Sequence, residues 1–239
     1  MPQYYIPPDQ ISDGVFCADE DESAHITKAA RKRAGDGIEI FDGRGNRYAA
    51  VIGGVRDGLV TGKIGARLDS PVYRTRLTLC FAPVSRAAAE EVLEHATEAG
   101  VAAFQPVLCS RSQFDWFETW QDKERRFRNI LTAACKQCGR AAFPELLKPQ
   151  KFDDALAGGG GEPALVAVKD APDGFEALIP GLAGAAALKV FIGPEGGFTK
   201  GELEFAAASG AKFFSLGKYT LRAETAAAAA AVVILNRLG

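Results

Sequence analysis

The chain begins with short apolar bursts. Ile38, Ile40 and Phe41 run into the turn residues Asp42-Gly43 and Gly45-Asn46, residues 48–52 form a second burst closed by Gly53-Gly54, and residues 55–64 form a third. Bursts at about ten-residue spacing predict short strands in a small barrel or sandwich. From residue 76 the rhythm changes. Leu77, Leu79 and Phe81 alternate up to Pro83, Ser85 can cap a helix that runs to about Ala99, and Gly100 stops it. Residues 101–108 read as a strand, and residues 122–138 as a helix with Phe127, Ile130, Leu131 and Ala134 on one face and Gly139 at its end. The runs 165–168, 189–192 and 212–216 are short and continuously apolar, the type buried inside parallel sheets. Thr199 and Glu202 are spaced as a capping box for a helix ending at Gly210. A last helix over residues 224–238 contains six consecutive alanines, Ala226 to Ala231, and glycines 158–161 read as a surface loop. Alternating strands and helices predict an α/β domain over residues 74–239 with a mostly parallel sheet covered on both faces, behind a small β domain over residues 1–73.

Composition narrows the class. With 47% hydrophobic and 24% charged residues in 239, there is enough apolar surface for a core, which excludes a mainly disordered chain. No apolar stretch is long enough to span a bilayer, and the opening MPQYYIPPDQ lacks a basic segment and an apolar segment, so a cytoplasmic protein without a membrane partner is expected. The net charge of −2 conceals a sorted distribution: residues 1–23 carry six acids and no Lys or Arg, residues 24–80 carry eleven Lys/Arg against five acids, and residues 111–151 carry nine against five. Local basic surfaces of this kind can neutralise phosphates, and a solvated face of mixed charge is the alternative reading. Arg31, Lys32 and Arg33 are consecutive, Arg44 and Arg47 flank a hairpin turn, and Arg111 and Arg140 stand at the ends of α/β elements near the expected active face. Of these, Arg31, Lys32, Arg33, Arg44, Arg111 and Arg140 are the candidate nucleic-acid-binding positions. The five cysteines do not suggest a disulfide framework, and Cys135 and Cys138 form a lone C-x-x-C with only two histidines in the chain, so no metal is expected.

Two glycine-containing turns follow predicted strands, the place where open α/β sheets bind ligands. The first runs from Ile192 through Gly193, Pro194, Glu195, Gly196 and Gly197 to Phe198; the second runs from Leu216 through Gly217 to Leu221, Arg222 and Glu224. Neither has the spacing of a phosphate loop or a dinucleotide fingerprint.

The run from Phe191 to Thr199 with Glu202, followed by Ser215-Leu216-Gly217 and Leu221-Arg222-Ala223-Glu224-Thr225-Ala226, resembles the paired signature of the RsmE family, the bacterial ribosomal RNA small subunit methyltransferase E enzymes. Further stretches agree: His95 to Gly100 is similar to a K-A-T-E-L-G run of that family, Arg111-Ser112 to the end of E-R-S, Gln137 to Arg140 to Q-S-G-R, and Arg31 with residues 35–43 to its PUA-like barrel. The resemblance implies a SPOUT-type trefoil-knot α/β fold with a PUA-like N-terminal barrel. It implies methylation of N3 of one uridine in 16S rRNA, within the small ribosomal subunit, by a homodimer that uses S-adenosyl-L-methionine. Ile192, Gly193, Pro194, Gly196, Gly197, Leu216, Gly217 and Leu221 are then the expected cofactor contacts, with Gly196 the most sensitive to a branched side chain. Arg222, Glu195 and Glu224 are the expected catalytic groups, and the alanine-rich helix is expected at the dimer seam. The sequence departs from the pattern at Gln3, His95, Ala99, Ala133 and Cys138, all outside the cofactor signature, which bears on RNA contacts. A related methylase of ribose 2′-O or of tRNA is the nearest competing reading, opposed by the Leu-Arg-Ala-Glu-Thr run. A non-catalytic RNA-binding assembly factor is another, opposed by the intact glycine turns.

Overall fold

Six strands make the sheet of the first unit in the computed structural model, which describes residues 3–158 and 160–239; Gly159 of the four-glycine loop and the first two residues of the chain lie outside it. Strands β1 (Gln3–Tyr5), β2 (Ile11–Ser12), β3 (Val15–Cys17), β4 (Gly37–Phe41), β5 (Arg47–Arg56) and β6 (Leu59–Leu68) are ordered β1-β4-β5-β6-β3-β2. All neighbours are antiparallel except β1 and β4. Alternate residues Ile38, Ile40, Ala50, Ile52 and Val60 meet Tyr4, Phe16 and Ile26 in one core. The N-terminal acids have a local use: Asp19 caps α1 (Glu20–Ala24) by accepting the Glu22 amide at 2.7 Å, and Glu20, Asp21 and Glu22 occupy the first turn, where negative charge meets the positive end of the helix.

Gly53-Gly54, expected to end a strand, does not. Strand β5 continues to Arg56, with register irregularities beside Ala50 and Gly54, and the chain reverses at Asp57-Gly58, where φ is 51° and 84°. Two positive φ angles give the mirror-image turn that suits a twisted hairpin, while a glycine pair in a strand absorbs a bulge. Gly62 faces it across the ladder, and a Cβ there would overlap the Val51 carbonyl oxygen and the Phe16 ring.

The second unit is a seven-stranded parallel sheet. Its elements are β7 (Arg76–Phe81), α2 (Arg86–Ala99), β8 (Ala103–Leu108), α3 (Trp120–Cys138), β9 (Glu145–Leu146), β10 (Gln150–Lys151), α4 (Phe152–Ala157), β11 (Ala164–Ala167), α5 (Ile179–Leu182), β12 (Ala187–Ile192), α6 (Lys200–Ala208), β13 (Lys212–Phe214) and α7 (Ala223–Leu238). The order is β10-β8-β7-β12-β11-β13, with β9 also on β8. Register aligns Leu165, Val190, Leu79 and Phe104 in one row and Val166, Phe191, Cys80 and Gln105 in the next. Successive rows point to opposite faces. The first row packs under α2, α7 and the start of α3, and the apolar members of the second pack under α4 and α6. Both faces are thus covered, as the continuous apolar strands predict. Each fully buried Leu, Val or Phe stabilises the fold by about 1.5–3 kcal/mol. Helix α2 begins on Ser85, whose Oγ accepts the Ala88 amide at 3.4 Å, and ends at Gly100 with φ 102°.

Residues 132–143, which the pattern assigns to the α/β part, fold with the first unit. Gly139 (φ 83°) ends α3, after which Gly45 N donates to Ala141 O at 3.0 Å and Phe143 N donates to Gly43 O at 2.9 Å. The Gln3 side chain is buried and donates to Cys135 O at 3.0 Å and Arg140 O at 2.7 Å, while Lys136 Nζ pairs with Glu22 at 2.7 Å. Gln3 is therefore an internal clasp of this unit, not an exposed contact. Cys135 is buried in the same cluster and its thiol is pushed up to about 12, while Cys138 is exposed on the last turn of α3. Gly62→Ala is expected to destabilise the protein by about 1–3 kcal/mol, the range for forcing a methyl into filled space, with Gly54→Ala milder because its Cβ direction is open; chemical denaturation of both variants checks this.

Candidate functional site

Because β11, β12 and β13 are parallel neighbours, the loops that leave their carboxyl ends gather at one edge. The β11 and β13 loops are tied together: Val168 N donates to Phe214 O (2.9 Å), Ser215 N to Asp173 O (2.8 Å), and Ser215 Oγ to Lys169 O (3.0 Å). The β12 loop turns where Gly197 N donates to Pro194 O at 2.8 Å. These loops, with the start of α7 and parts of α2 and the β8 loop, enclose a cleft of about 810 Å³. A smaller cavity of about 100 Å³ shares Ala167, Val168, Lys169, Thr220, Leu221 and Ala226 with it.

The sequence-predicted residues divide cleanly between the two units. Ile192, Gly193, Pro194, Glu195, Gly196, Gly197, Leu221, Arg222 and Glu224 all line the cleft, and Leu216 and Gly217 line the adjoining cavity. Arg111 also lines the cleft, and its Nη1 donates to Gly196 O at 2.9 Å. Arg31, Lys32, Arg33, Arg44 and Arg140 belong to the first unit. Arg140, expected at the end of an α/β element, is held in the first unit by the backbone pairing that follows Gly139. Pattern reading missed Ser85, Ala88, Lys169, Asp170, Phe198 and Thr220, which also line the cleft. Lys169 and Asp170 follow a predicted strand directly, so their position was a usable signal; Ser85 and Ala88 carried none beyond their helix cap.

The glycines differ in purpose. Gly197 has φ 68° and Gly217 has φ 142°, and a Cβ at either would stand in open space beside the cavities. Gly193 instead makes room for the Phe198 ring, which would lie 2.9 Å from a Cβ there. Gly196 has no positive φ; a Cβ would meet the Arg111 side chain at 3.4 Å. The left-handed backbone of this turn therefore sits at Gly197 and not at Gly196.

Beside the cleft, α7 presents a second face. Ala227, Ala230, Ala231, Ile234 and Leu235 are buried against the sheet and α2, whereas Ala228, Ala229, Val232 and Val233 line an open groove of about 540 Å³ with Glu91 and His95. Val232 is 47% exposed. Glu224 borders both cleft and groove. Among the described residues no cluster of His, Cys, Asp and Glu is arranged to hold a metal, and no helix is long and apolar enough to cross a membrane.

Comparison with known proteins adds an independent line. A family model described as an RNA methyltransferase domain matches residues 71–235, and one described as an RNA methyltransferase PUA domain matches residues 18–65. The chain is 29% identical to the ribosomal RNA small subunit methyltransferase E of Synechocystis sp., over 92% of this chain and 73% of that protein. It is 28% identical to the enzyme of the same name from Mycobacterium bovis, over 95% and 88% of the two chains. The crystal structure of ribosomal RNA small subunit methyltransferase E from Neisseria gonorrhoeae bound to S-adenosyl methionine superposes with a TM-score of 0.87 at 25% identity, covering 99% of this chain and 97% of that one.

One buried carboxylate organises the cleft wall. Glu202, 7% exposed, accepts Ser110 N at 2.7 Å through Oε1, and accepts Thr199 N at 2.7 Å and Thr199 Oγ at 2.9 Å through Oε2. Burial raises its pKa, but these hydrogen bonds outweigh burial and hold it below the ordinary carboxylate range. A lowered folded pKa contributes stability that is complete above the unfolded value of about 4.3 and is lost as pH falls through the folded value. Thermal melts across the acid range are expected to show this loss in the parent protein and a shallower acid slope in Glu202→Gln.

Proposed function

The chain belongs to the RNA methyltransferase family, with a PUA domain ahead of the methyltransferase domain, and on that premise we propose that it uses S-adenosyl-L-methionine to methylate N3 of one uridine in 16S rRNA of the small ribosomal subunit. The observation that carries this reading is the convergence of the first glycine turn, Arg222, Glu195 and Glu224 on one cleft, with the second glycine turn on the small cavity that adjoins it. The cleft suits the cofactor: Gly197 and Gly217 leave open the space their side chains would fill, which lets a bulky adenosyl group approach the turns closely. When bound, the cofactor supplies a methyl group already activated by its sulfonium. The residues that would hold it are Ile192, Gly193, Pro194, Gly196, Gly197, Leu216, Gly217 and Leu221.

Uridine N3 carries a proton at neutral pH, so the protein must remove it or stabilise the anion. Arg222 is exposed at the N-cap of α7 and lines the cleft, where its guanidinium balances negative charge on the uracil. Glu195 and Glu224 line the same cleft, where Asp170 also stands; in this reading one of the two glutamates accepts the N3 proton and the other faces the sulfonium charge. The walls from the β11 and β12 loops restrict water and hold the base for in-line attack.

The RNA platform in this reading is the basic set of the first unit, Arg31, Lys32, Arg33, Arg44 and Arg140, with Arg111 at the cleft. Arg31 adopts φ 55°, so the basic triplet starts on a fixed turn closed by Arg33 N donating to Asp36 at 2.8 Å. Such contacts position a phosphate backbone without reading its sequence. The PUA-like unit is taken as residues 1–73 and the methyltransferase domain, with its trefoil knot, as residues 74–239. The open apolar groove of α7 is the seam of a homodimer, which puts a second copy beside Glu224. The reaction belongs in the cytoplasm, where ribosomal RNA is assembled, with no metal and no membrane partner.

Mass mapping of 16S rRNA from cells with and without the gene tests the reaction, a single N3-methyluridine disappearing with the gene. Complementation by Arg222→Ala is expected to leave that site largely unmodified, turnover falling by on the order of 10²–10³ while cofactor affinity is retained, and Arg222→Lys is expected to recover only part of the rate. Wild-type turnover in Arg222→Ala would remove it from the mechanism. Val232→Glu, which puts a charge in the groove, is expected to convert a dimer into a monomer in light scattering without lowering the melting temperature.

A further inference from the structure

The reach of the Glu202 carboxylate exceeds what a helix cap requires. A capping box needs one oxygen, on the N-cap amide, and here Oε2 serves Thr199 alone. The other oxygen takes the amide of Ser110, a residue 92 positions away on the loop that leaves β8. That loop is a tight turn, with Ser112 N donating to Cys109 O at 3.0 Å and Cys109 N donating to Ser112 Oγ at 3.1 Å. The turn presents Arg111, whose guanidinium is exposed, lines the cleft and donates to Gly196 O at 2.9 Å. Arg111 is thus held on one side through its neighbour's amide and on the other through the glycine turn. Both attachments lead to the β12 loop, whose end Glu202 closes.

We propose that Glu202 is a positioning residue for RNA methylation: it locks the β8 loop to the β12 loop and thereby fixes the Arg111 guanidinium at the cleft for the RNA substrate. This rests on the reading of the cleft as the methyl-transfer site. An ionised carboxylate suits the task because all three partners are donors. A neutral amide accepts through one atom only and turns an N–H towards a remaining donor, so the two loops lose their common anchor. A long flexible cation needs such support, since an unfixed arginine loses rotamer freedom on every binding event.

The test is a double-mutant cycle between Glu202→Gln and Arg111→Ala, read as KM for RNA, kcat, calorimetric affinity for S-adenosylmethionine and melting temperature. Glu202→Gln is expected to raise the KM for RNA about tenfold, equivalent to about 1.4 kcal/mol, with cofactor affinity unchanged, and to add nothing in the Arg111→Ala background. Thr199→Val removes the hydroxyl half of the cap but leaves the Ser110 bond, so it is expected to lower the melting temperature while sparing the KM for RNA. Glu202→Asp, charged but one methylene too short to reach both loops, is expected to repeat the Glu202→Gln result if the amide variant melts too low to assay. Additive effects of Glu202→Gln and Arg111→Ala, or an equal rise in KM from Thr199→Val, would overturn the proposal and leave the site reading intact. Failure of the unaltered protein to bind S-adenosylmethionine and methylate RNA would remove the site reading, and the proposal with it.

Discussion

Parallel pairing of β7, β11, β12 and β13 is the constraint on which the rest depends. Parallel neighbours cannot be joined by a tight hairpin, so each connection crosses over the sheet and returns to the same end. The loops after β11, β12 and β13 then have nowhere to lie except beside one another. Their polar backbone must be satisfied there, and the bonds from Val168 to Phe214 and from Ser215 to Asp173 and Lys169 do so. The cleft is the space left between loops that hold each other. Gly193, Gly196 and Gly197 bring bare backbone to part of that wall, beside the side chains of Arg111, Lys169 and Arg222.

Charge is distributed by the same economy of local use. The six N-terminal acids look like a repulsive block, yet Asp19 to Glu22 start a helix and Glu22 receives Lys136. Part of the basic excess over residues 111–151 is also occupied. Glu90 is held at about 2, first by its hydrogen bond from Arg126, with Arg86 on the same carboxylate, and Arg128 pairs with Glu124 at 2.6 Å. Exposed pairs of this kind add little stability, but each takes a cation out of the set available to RNA. Arg111 differs because its partner is a carbonyl, which leaves its positive charge uncompensated.

The alanines of α7 illustrate two demands met by one composition. On one face Ala227, Ala230 and Ala231 bring the helix close to α2 and the sheet; on the other Ala228 and Ala229 form the floor of an open groove rimmed by Val232 and Val233. Helix propensity permits both and distinguishes neither. The distinction comes from which face the sheet occupies.

Much of this was legible in the sequence. Apolar alternation in Leu77, Leu79 and Phe81, the caps at Ser85 and Thr199, and the stops at Gly100 and Gly139 are local signals, because each is set by steric and hydrogen-bonding rules within a few residues. The two glycine turns were legible for the same reason, and the residues proposed on them line the cleft and its adjoining cavity. Other features were decided only by the tertiary structure. Gly53-Gly54 reads as the end of a strand, but pairing with β6 carries the strand through it with a register shift. Residues 132–138 complete a helix pattern and 139–143 follow its stop, but bonds with Gln3, Gly43 and Gly45 join them to the first unit. Glu202 reads as a helix cap, and nothing near it in sequence announces Ser110. Local propensity depends on neighbours along the chain, whereas a buried carboxylate's second partner depends on which distant loop the sheet order brings within 3 Å, and no periodicity encodes that.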